Sequence, residues 1–397
     1  MQSRHDITIE DLYAAYFDCR KNKRKSCNAL AFELDYESNL RKLLDEINGG
    51  TYRIGTSIAF VVTKPKPREV FAADFRDRIV HHLVIRKIEP LMESVFIEDS
   101  YNCRTGKGVL YGVGRLEEKM RTASEGYTKD LYVAKFDCQS FFMSIHKPTL
   151  RAMAMAFVGR YYTAPDKDII LRLLSQIILH CPEKNCRRKS PSWMWGLLGP
   201  GKSLFTSGDD YGLPIGNLSS QILANFYLSG FDRWMTERFR GLYGRYVDDF
   251  YVLSERKEDI LAAIPEMKRR LAGVNVTLHP RKMYLQHYSK GVAFTGGVLK
   301  LGRRYVSRRT VYNFGRCIDE LNAMEDKESF AADAIHRLNS YLGFCRHYLS
   351  YGIRVNMIKR LAPEWLRYIY ASGPAQKFLI KKRYVKSIWE GAELCAR

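Results

Sequence analysis

The stretch RYVDDFYVL, Arg245 to Leu253, sets two adjacent carboxylates, Asp248 and Asp249, among β-branched and aromatic residues. The flanking residues are typical of a β-strand, in which neighbouring side chains point to opposite faces. A straight strand would turn at least one acid inward, whereas a tight hairpin turn would accommodate both, because aspartate is a good turn residue. The sequence predicts a strand–turn–strand unit whose acids either face solvent or hold a strongly positive ligand.

A second strand-like stretch, DLYVAKFDC, also ends in an acid, Asp137. If the two strands are neighbours in one sheet, three carboxylates converge, and their burial and mutual repulsion would be costly without a counter-charge. Two divalent cations about 3.5–4 Å apart would supply that charge. Magnesium is the expected ion, because it prefers hard oxygen ligands. The pattern therefore predicts a two-magnesium site suited to in-line displacement at phosphorus.

The composition favours a folded protein that binds a polyanion. The chain has 397 residues, of which 46% are hydrophobic, and its formal charge is +21. Such an excess favours nucleic acid as a partner, the alternative being a soluble protein with a high pI. No apolar run is long enough for a membrane span, and no signal peptide is recognisable at the N-terminus. Nine scattered cysteines fit a reducing compartment, so we expect a cytoplasmic protein with no membrane partner.

The order of periodic segments predicts an α+β domain with helical ends. Helices are expected in residues 1–50, 148–180 and 218–239 and from about 308 onward. Short strands are expected on both sides of a Lys/Pro-rich turn near residue 65, in VTLHPRKMYLQ and in GVAFTGGVL. The basic, Pro-, Gly- and Ser-rich residues 182–211 predict a loop or insertion. A single C-x4-C pair at its start, Cys181 and Cys186, favours local turn chemistry over zinc.

Several motifs together resemble the reverse transcriptase family. YVDD, VAKFDCQSFF and GLPIGNLSSQ resemble the palm, KPKPREVFAADFRDRIVHHLV resembles the fingers of group II-intron-like bacterial enzymes, and HPRKMYL and AFTGGVL resemble later palm motifs. HCPEKNCRRKSP, KSLF and LNSYLGFCRHYLSYGIR are similar to the reverse transcriptases of diversity-generating retroelements. The resemblance implies a right-hand polymerase with N-terminal helices and fingers (1–127), a palm with a ferredoxin-like antiparallel sheet and a basic insertion (128–298), and a helical thumb (299–397).

The resemblance also implies residue roles. Asp137 and Asp248 would be the principal metal ligands, Asp249 the third acid, and the main-chain carbonyl of Cys138 a further ligand. Phe142 would exclude the 2′-hydroxyl of a ribonucleotide, with Phe141 as the alternative, because one of the two rings must face the core. The other nucleotide-binding residues implied are Lys64, Lys66, Arg68, Ile215, Gly216, Gln221 and Lys282. Template or primer contacts are implied for Arg78, Arg104, Lys107, Thr295, Gly296 and Gly297.

Three of these assignments have alternatives within the chain. The stretch YNCRTGKGV, which carries Arg104 and Lys107, is also explained by an ordinary Gly-bearing turn. Arg78 is equally well explained by a structural ion pair, and Lys282, which would neutralise the leaving pyrophosphate, by a solvated surface lysine. The basic segments GRRYVSRR and KKRYVK resemble a thumb that lies on a template–primer duplex.

The segment GLPIGNLSSQ departs from most reverse transcriptases, which have Gln before the glycine and Pro after the serine. Here Ile215 and Gln221 occupy those places. The diversity-generating subgroup shares this departure and misincorporates opposite template adenine. We therefore expect an RNA-directed DNA polymerase that copies a template-repeat RNA into adenine-mutagenised cDNA from dNTPs, aided by a small basic accessory protein oligomer. The alternatives are another bacterial reverse transcriptase, of group II intron, retron or phage-defence type, and a non-catalytic RNA-binding relative.

Overall fold

The computed structural model describes residues 6–21 and 26–384. The basic run at residues 22–25 and the last two residues of KKRYVK, 385–386, lie outside the described residues. The chain divides into two compact units, Met1–Gly108 with Ala134–Tyr284 (unit 1) and Val109–Val133 with Leu285–Arg397 (unit 2). None of the described helices has the length and apolarity that crossing a bilayer requires.

Unit 1 contains most of the helices, and their ends follow local sequence signals. Helix α1 begins after Thr8, whose hydroxyl accepts the main-chain N–H of Asp11 in a capping box. Helix α3 buries Leu40, Leu43, Leu44 and Ile47 along one face. The helices of unit 1 are α1 (Ile9–Arg20), α2 (Cys27–Glu33), α3 (Tyr36–Asn48), α4 (Phe75–Glu93), α6 (Phe141–Ser144), α7 (Lys147–Tyr161), α8 (Lys167–Leu179), α9 (Leu218–Tyr227), α10 (Ser229–Arg238) and α11 (Lys257–Ala272).

The first sheet of unit 1 confirms the predicted pair of strands around the Lys/Pro-rich turn and adds a third strand. Strands β1 (Ser57–Val62) and β2 (Arg68–Ala72) are antiparallel. Strand β4 (Cys186–Arg188), from the stretch predicted as a loop or insertion, pairs in parallel with β1. The basic stretch 182–211 is therefore anchored to this sheet at its start.

The second sheet brings the two acid-bearing segments together. Its order is β5–β6–β3–β7, with β3 at Tyr132–Asp137, β5 at Tyr243–Tyr246, β6 at Asp249–Ser254 and β7 at Tyr284–His287. The short strand expected in VTLHPRKMYLQ is confirmed in its second half as β7, and a turn at Pro280 and Arg281 precedes it, since Pro280 has no N–H to donate to a ladder.

Unit 2 contains α5 (Val109–Ala123), an antiparallel sheet, three helices and a hairpin. The sheet has the order β10–β9–β8, and the core surrounds Trp365, Phe314 and Leu338. The expectation of helix alone after residue 308 is wrong, because β11 and β12 form an antiparallel hairpin. The elements are β8 (Val292–Phe294), β9 (Gly297–Lys300), β10 (Arg303–Val306), α12 (Arg308–Asn322), α13 (Ala331–Cys345), α14 (Tyr351–Lys359), β11 (Ile369–Ser372) and β12 (Lys377–Ile380).

Candidate active site

The YVDD motif forms a two-residue hairpin turn. In the register of β5 with β6, Tyr246 pairs with Asp249, so Val247 and Asp248 make the turn and Asp249 begins the second strand. Val247 adopts a left-handed conformation with φ of 59°, which is costly for a β-branched residue. A strained residue held beside two acids is a feature that functional sites commonly show.

Strand β3 ends beside this turn. The main-chain N–H of Cys138 donates to the carbonyl oxygen of Asp248 at 3.0 Å, directly after Asp137. On the other side, the N–H of His279 donates to the carbonyl oxygen of Asp137 at 2.7 Å. The sheet therefore places the end of the Asp137 strand against the turn that carries the other two acids.

The carboxylates repel one another in this position. Burial, together with the charges of Asp249 and Asp137, raises the pKa of Asp248 to about 6. Burial also raises the pKa of Asp249, partly offset by Lys135. An upward shift means that the ionised form is disfavoured, so a cation at this position would stabilise it.

Lys282 supplies one such cation. Its ammonium lies 2.8 Å from Oδ1 of Asp137 in an ion pair, with 49% of the lysine side chain and 14% of the aspartate side chain exposed. The sequence left open whether Lys282 was a solvated surface lysine, and the structure places it at the carboxylates. A partly exposed lysine in this position can exchange its carboxylate for another anion.

The donor chemistry of the site fits magnesium, although the side chains are not arranged as a closed ligand set. Within residues 6–21 and 26–384, no three His, Cys, Asp or Glu side chains are grouped so that they could hold a metal ion. Carboxylates are the hard oxygen donors that magnesium prefers, and a magnesium ion is usually bound by one or two of them together with substrate phosphates. The three carboxylates here have few counter-charges of their own. The thiol of Cys138 is buried, and burial raises its pKa, which leaves only the main-chain carbonyl as its predicted ligand atom.

Phe142 and Ile215 lie in one apolar neighbourhood. Phe141 is 2% exposed and belongs to the core, whereas Phe142 is only partly buried. Phe142 and Ile215 both pack against a cluster that includes Phe71 and Leu204. Of the two adjacent rings, Phe142 is thus the one available to a substrate.

Gly216 follows Ile215 with a φ of 124°, which favours glycine. A Cβ atom there would come within 2.8 Å of the Val70 side chain and 3.0 Å of the Phe71 carbonyl oxygen. The glycine is therefore needed for the segment to approach β2 closely.

Gln221 accepts a hydrogen bond from the thiol of Cys103. The basic residues predicted to hold a triphosphate, Lys64, Lys66 and Arg68, are all exposed at the β1–β2 connection.

The predicted template contacts in YNCRTGKGV are engaged within unit 1. The side chain of Arg104 is 7% exposed, and its guanidinium pairs with Glu93 and donates to the carbonyl oxygens of Ile97 and Ser100. Lys107 is 11% exposed and pairs with Glu98. In this structure both side chains hold their own loop, and a template role for either stays a prediction.

Arg78 and the primer-grip-like turn also have structural explanations. Arg78 donates to the carbonyl oxygen of Ala73 at 2.9 Å. Thr295 and Gly296 form the two-residue turn between β8 and β9 in unit 2, with φ of 45° and 92°. A Cβ atom at Gly297 would lie 2.4 Å from the Tyr348 ring, so this glycine is required for packing within unit 2.

Sequence reasoning missed the support beneath the YVDD turn. Arg245 is 1% exposed and donates to both oxygens of Asp232, at 2.7 and 2.6 Å. Its third nitrogen donates to the carbonyl oxygen of Val247 at 2.8 Å. Burial alone would lower the pKa of Arg245, but the Asp232 carboxylate outweighs it and the net shift is upward. An arginine in the middle of an apolar strand was the signal that could have revealed this pair.

Comparison with known proteins identifies the family. The family model described as reverse transcriptase (RNA-dependent DNA polymerase) matches residues 63–299. The chain therefore belongs to the reverse transcriptase family. This membership confirms the predicted enzyme class, an RNA-directed DNA polymerase, and with the mixed helices and sheets it supports the predicted right-hand polymerase fold.

Among individual proteins, the chain is similar to protein YkfC of Escherichia coli strain K12, with 23% identity over 329 residues, 74% of this chain and 77% of YkfC. Two structures of apo telomerase from Candida tropicalis also match. The form truncated from its C-terminal domain has a TM-score of 0.49 and 11% identity over 64% of this chain. The other has a TM-score of 0.48 and 12% identity over 79% of this chain. The chain spans 55% and 57% of those two telomerase chains.

Proposed function

We propose that this reverse transcriptase belongs to a diversity-generating retroelement and copies a template-repeat RNA into cDNA with frequent errors opposite adenine. The observation that carries the proposal is Ile215, which replaces the usual glutamine before Gly216. Its side chain packs with Phe142 against Phe71 and Leu204. An aliphatic group offers the nascent base pair bulk but no hydrogen bond, and selection without polar contacts is shallow, typically about 1–3 kcal/mol.

In the proposed reaction, the chain positions the substrates and balances their charge. Asp137, Asp248 and Asp249 would hold two magnesium ions, with the main-chain carbonyl of Cys138 as a further donor. When bound, such ions activate the primer hydroxyl and stabilise the leaving pyrophosphate. The raised pKa values of Asp248 and Asp249 support cation binding, because an adjacent positive charge favours the ionised carboxylates.

The side chains around the acids take the remaining roles. The exposed Arg68, with Lys64 and Lys66, would hold the triphosphate, and arginine suits this role through paired hydrogen bonds to phosphate oxygens. Lys282 would leave Asp137 for the departing pyrophosphate. The ring of Phe142 would exclude a 2′-hydroxyl by its bulk. The substrates expected for the family are a template RNA, a primer–template duplex and dNTPs.

The accessory protein and the compartment complete the proposal. A small basic protein oligomer would assist the polymerase, as the resemblance to the diversity-generating subgroup implies. All cysteines within the described part of the chain are free thiols, which supports a reducing cytoplasm.

The test is the spectrum of errors made on one defined RNA template. Wild type is expected to misincorporate opposite adenine far more often than opposite the other bases, with and without the accessory protein. Ile215→Gln is expected to lower the adenine errors several-fold while extension continues. Ile215→Val, which keeps an aliphatic side chain, is the matched control and should retain the bias. If wild type shows no adenine bias, the diversity-generating assignment is wrong, and the protein is a bacterial reverse transcriptase of another type.

A further inference from the structure

A buried carboxylate fastens the basic stretch 182–211, here called the insertion segment, to strand β2. Glu69 is 2% exposed. One of its oxygens accepts the indole N–H of Trp195 at 2.8 Å and the hydroxyl of Ser203 at 2.7 Å, and the other accepts the main-chain N–H of Leu204 at 2.7 Å. All three donors come from the insertion segment. A buried carboxylate without such donors would be strongly unfavourable, so the insertion segment and β2 are matched to each other.

The same segment forms the apolar wall behind Phe142 and Ile215. Leu204 belongs to one buried cluster with Phe71 and Met143, against which Phe142, Ile215, Trp195 and Phe205 pack. The ring of Phe205 lies 5.5 Å from that of Phe71, and the guanidinium of Arg188 lies 4.1 Å from the Phe205 ring centre. The insertion segment therefore contributes side chains to the neighbourhood in which the nucleotide would be selected.

Main-chain hydrogen bonds reach both selecting residues, one from Phe71 of this wall and one from Leu213, two residues beyond the insertion segment. The N–H of Phe71 donates to the carbonyl oxygen of Ile215 at 2.9 Å, and the N–H of Leu213 donates to that of Phe142 at 2.8 Å. Phe71 is two residues from Glu69 on β2, and Arg68 precedes Glu69. Apolar contacts are not directional, whereas hydrogen bonds to a carboxylate are. The hydrogen bonds to Glu69 are thus directional contacts between the insertion segment and β2.

We propose that the insertion segment is a positioning element for nucleotide selection, held by Glu69 and acting through Phe71 and Leu204 on Phe142 and Ile215. This inference rests on the proposed function for the selecting roles of Phe142 and Ile215. Trp195, Ser203 and Glu69 are positioning residues in it, since they act through the wall.

Trp195→Phe is the sharpest test, because it removes the N–H donor and keeps an aromatic ring. Trp193→Phe is the matched control, since Trp193 lies in the same segment and is 66% exposed. In primer extension, Trp195→Phe is expected to raise the KM for dNTP about 3- to 10-fold and to change the ribo- to deoxynucleotide incorporation ratio by a similar factor, with kcat within about twofold. Ser203→Ala should act in the same direction, and Trp193→Phe should match wild type.

Hydrogen exchange provides a second readout that needs no catalysis. The amides of Phe71 and Leu213 should exchange faster in Trp195→Phe than in Trp193→Phe, because their acceptors are less firmly placed. Unchanged exchange with unchanged selectivity would overturn the inference. A lower Tm together with an equal loss of kcat for all nucleotides would also overturn it, because this is the result that a purely structural role predicts. If wild type incorporates no nucleotide, the proposed function fails, while the exchange rates still decide whether Glu69 positions these residues.

Discussion

Replacing Arg245 with methionine should weaken the fold and slow nucleotide transfer for separate reasons. The Arg245 and Asp232 side chains are 0% and 1% exposed and form a paired contact. Removing the arginine leaves Asp232 buried without its cation, although the hydroxyl of Tyr243 still donates to it. Breaking a buried pair in this way costs about 3–5 kcal/mol, a large part of the roughly 5–15 kcal/mol by which domains are stable.

A variant that replaces the whole group separates stability from activity. Arg245→Met combined with Asp232→Leu and Tyr243→Phe removes the charges together, and apolar replacement of a buried pair is often neutral or stabilising. The carbonyl oxygen of Val247 still loses its donor. A hydrogen bond from a charged group is worth about 1.5–3 kcal/mol. If that cost falls on the position of Asp248, extension slows roughly 10- to 150-fold.

Urea unfolding and primer extension measure the two effects on the same preparations. We expect Arg245→Met to lose stability and activity, and the triple variant to regain most of the stability while extension stays slow. Tyr243→Phe alone is the control for the loss of one donor to Asp232. A triple variant with wild-type extension would refute the claim that Arg245 holds the turn, and a single variant that loses less than about 1 kcal/mol would refute the claim that the pair is a closed buried unit.

Three further outcomes follow from the same structure. Phe142→Ala should raise the ratio of ribo- to deoxynucleotide incorporation, whereas Phe141→Ala should mainly destabilise the core, by about 3–5 kcal/mol. An unchanged ratio in Phe142→Ala would mean that another residue excludes the 2′-hydroxyl. Burial lowers the pKa of His81 to about 3, so as pH falls below about 6.5 the unfolded chain takes up a proton before the folded protein does, and the free energy of unfolding decreases. The difference in this free energy between wild type and His81→Gln should therefore shrink by up to about 1.4 kcal/mol per pH unit. A difference that stays constant with pH would contradict the shift. RNA binding should weaken steeply with salt, with a logarithmic slope of roughly −0.7 per phosphate contact on single strands, and nearly constant affinity would contradict the interpretation of the +21 charge.

The sequence predicted the elements whose signals are local. The alternation around Asp248 and Asp249, with two turn-forming acids, predicted the β5–β6 hairpin, and the two strands around the Lys/Pro-rich turn have the same kind of signal. The neighbourhood of Asp137 and Asp248 could be inferred because two strand-like segments each carry an acid at one end, and strands paired in one sheet bring such ends together. These predictions depended on residue periodicity and on charge, both of which are visible in one chain.

The features that the sequence did not reveal are set by tertiary contacts. Strand β4 has only three residues, and its pairing with β1 is distant in sequence, so no periodicity could show it. Glu69 looks like an ordinary strand-edge acid until Trp195 and Ser203 are placed beside it. The β11–β12 hairpin was missed because basic residues and turns hide its short alternation.

Primer extension by Asp248→Asn with magnesium, on a defined RNA template, tests the central claim most directly. The substitution keeps the shape of the side chain and removes its charge, and the loss of one group that stabilises a transition state typically costs roughly 10²–10³ in rate or more. Asp249→Asn and Asp137→Asn extend the comparison, and RNA binding with an unchanged unfolding transition serves as the control. We predict that Asp248→Asn folds, binds RNA and synthesises almost no cDNA. Extension at the wild-type rate by this variant would contradict the assignment of the active site.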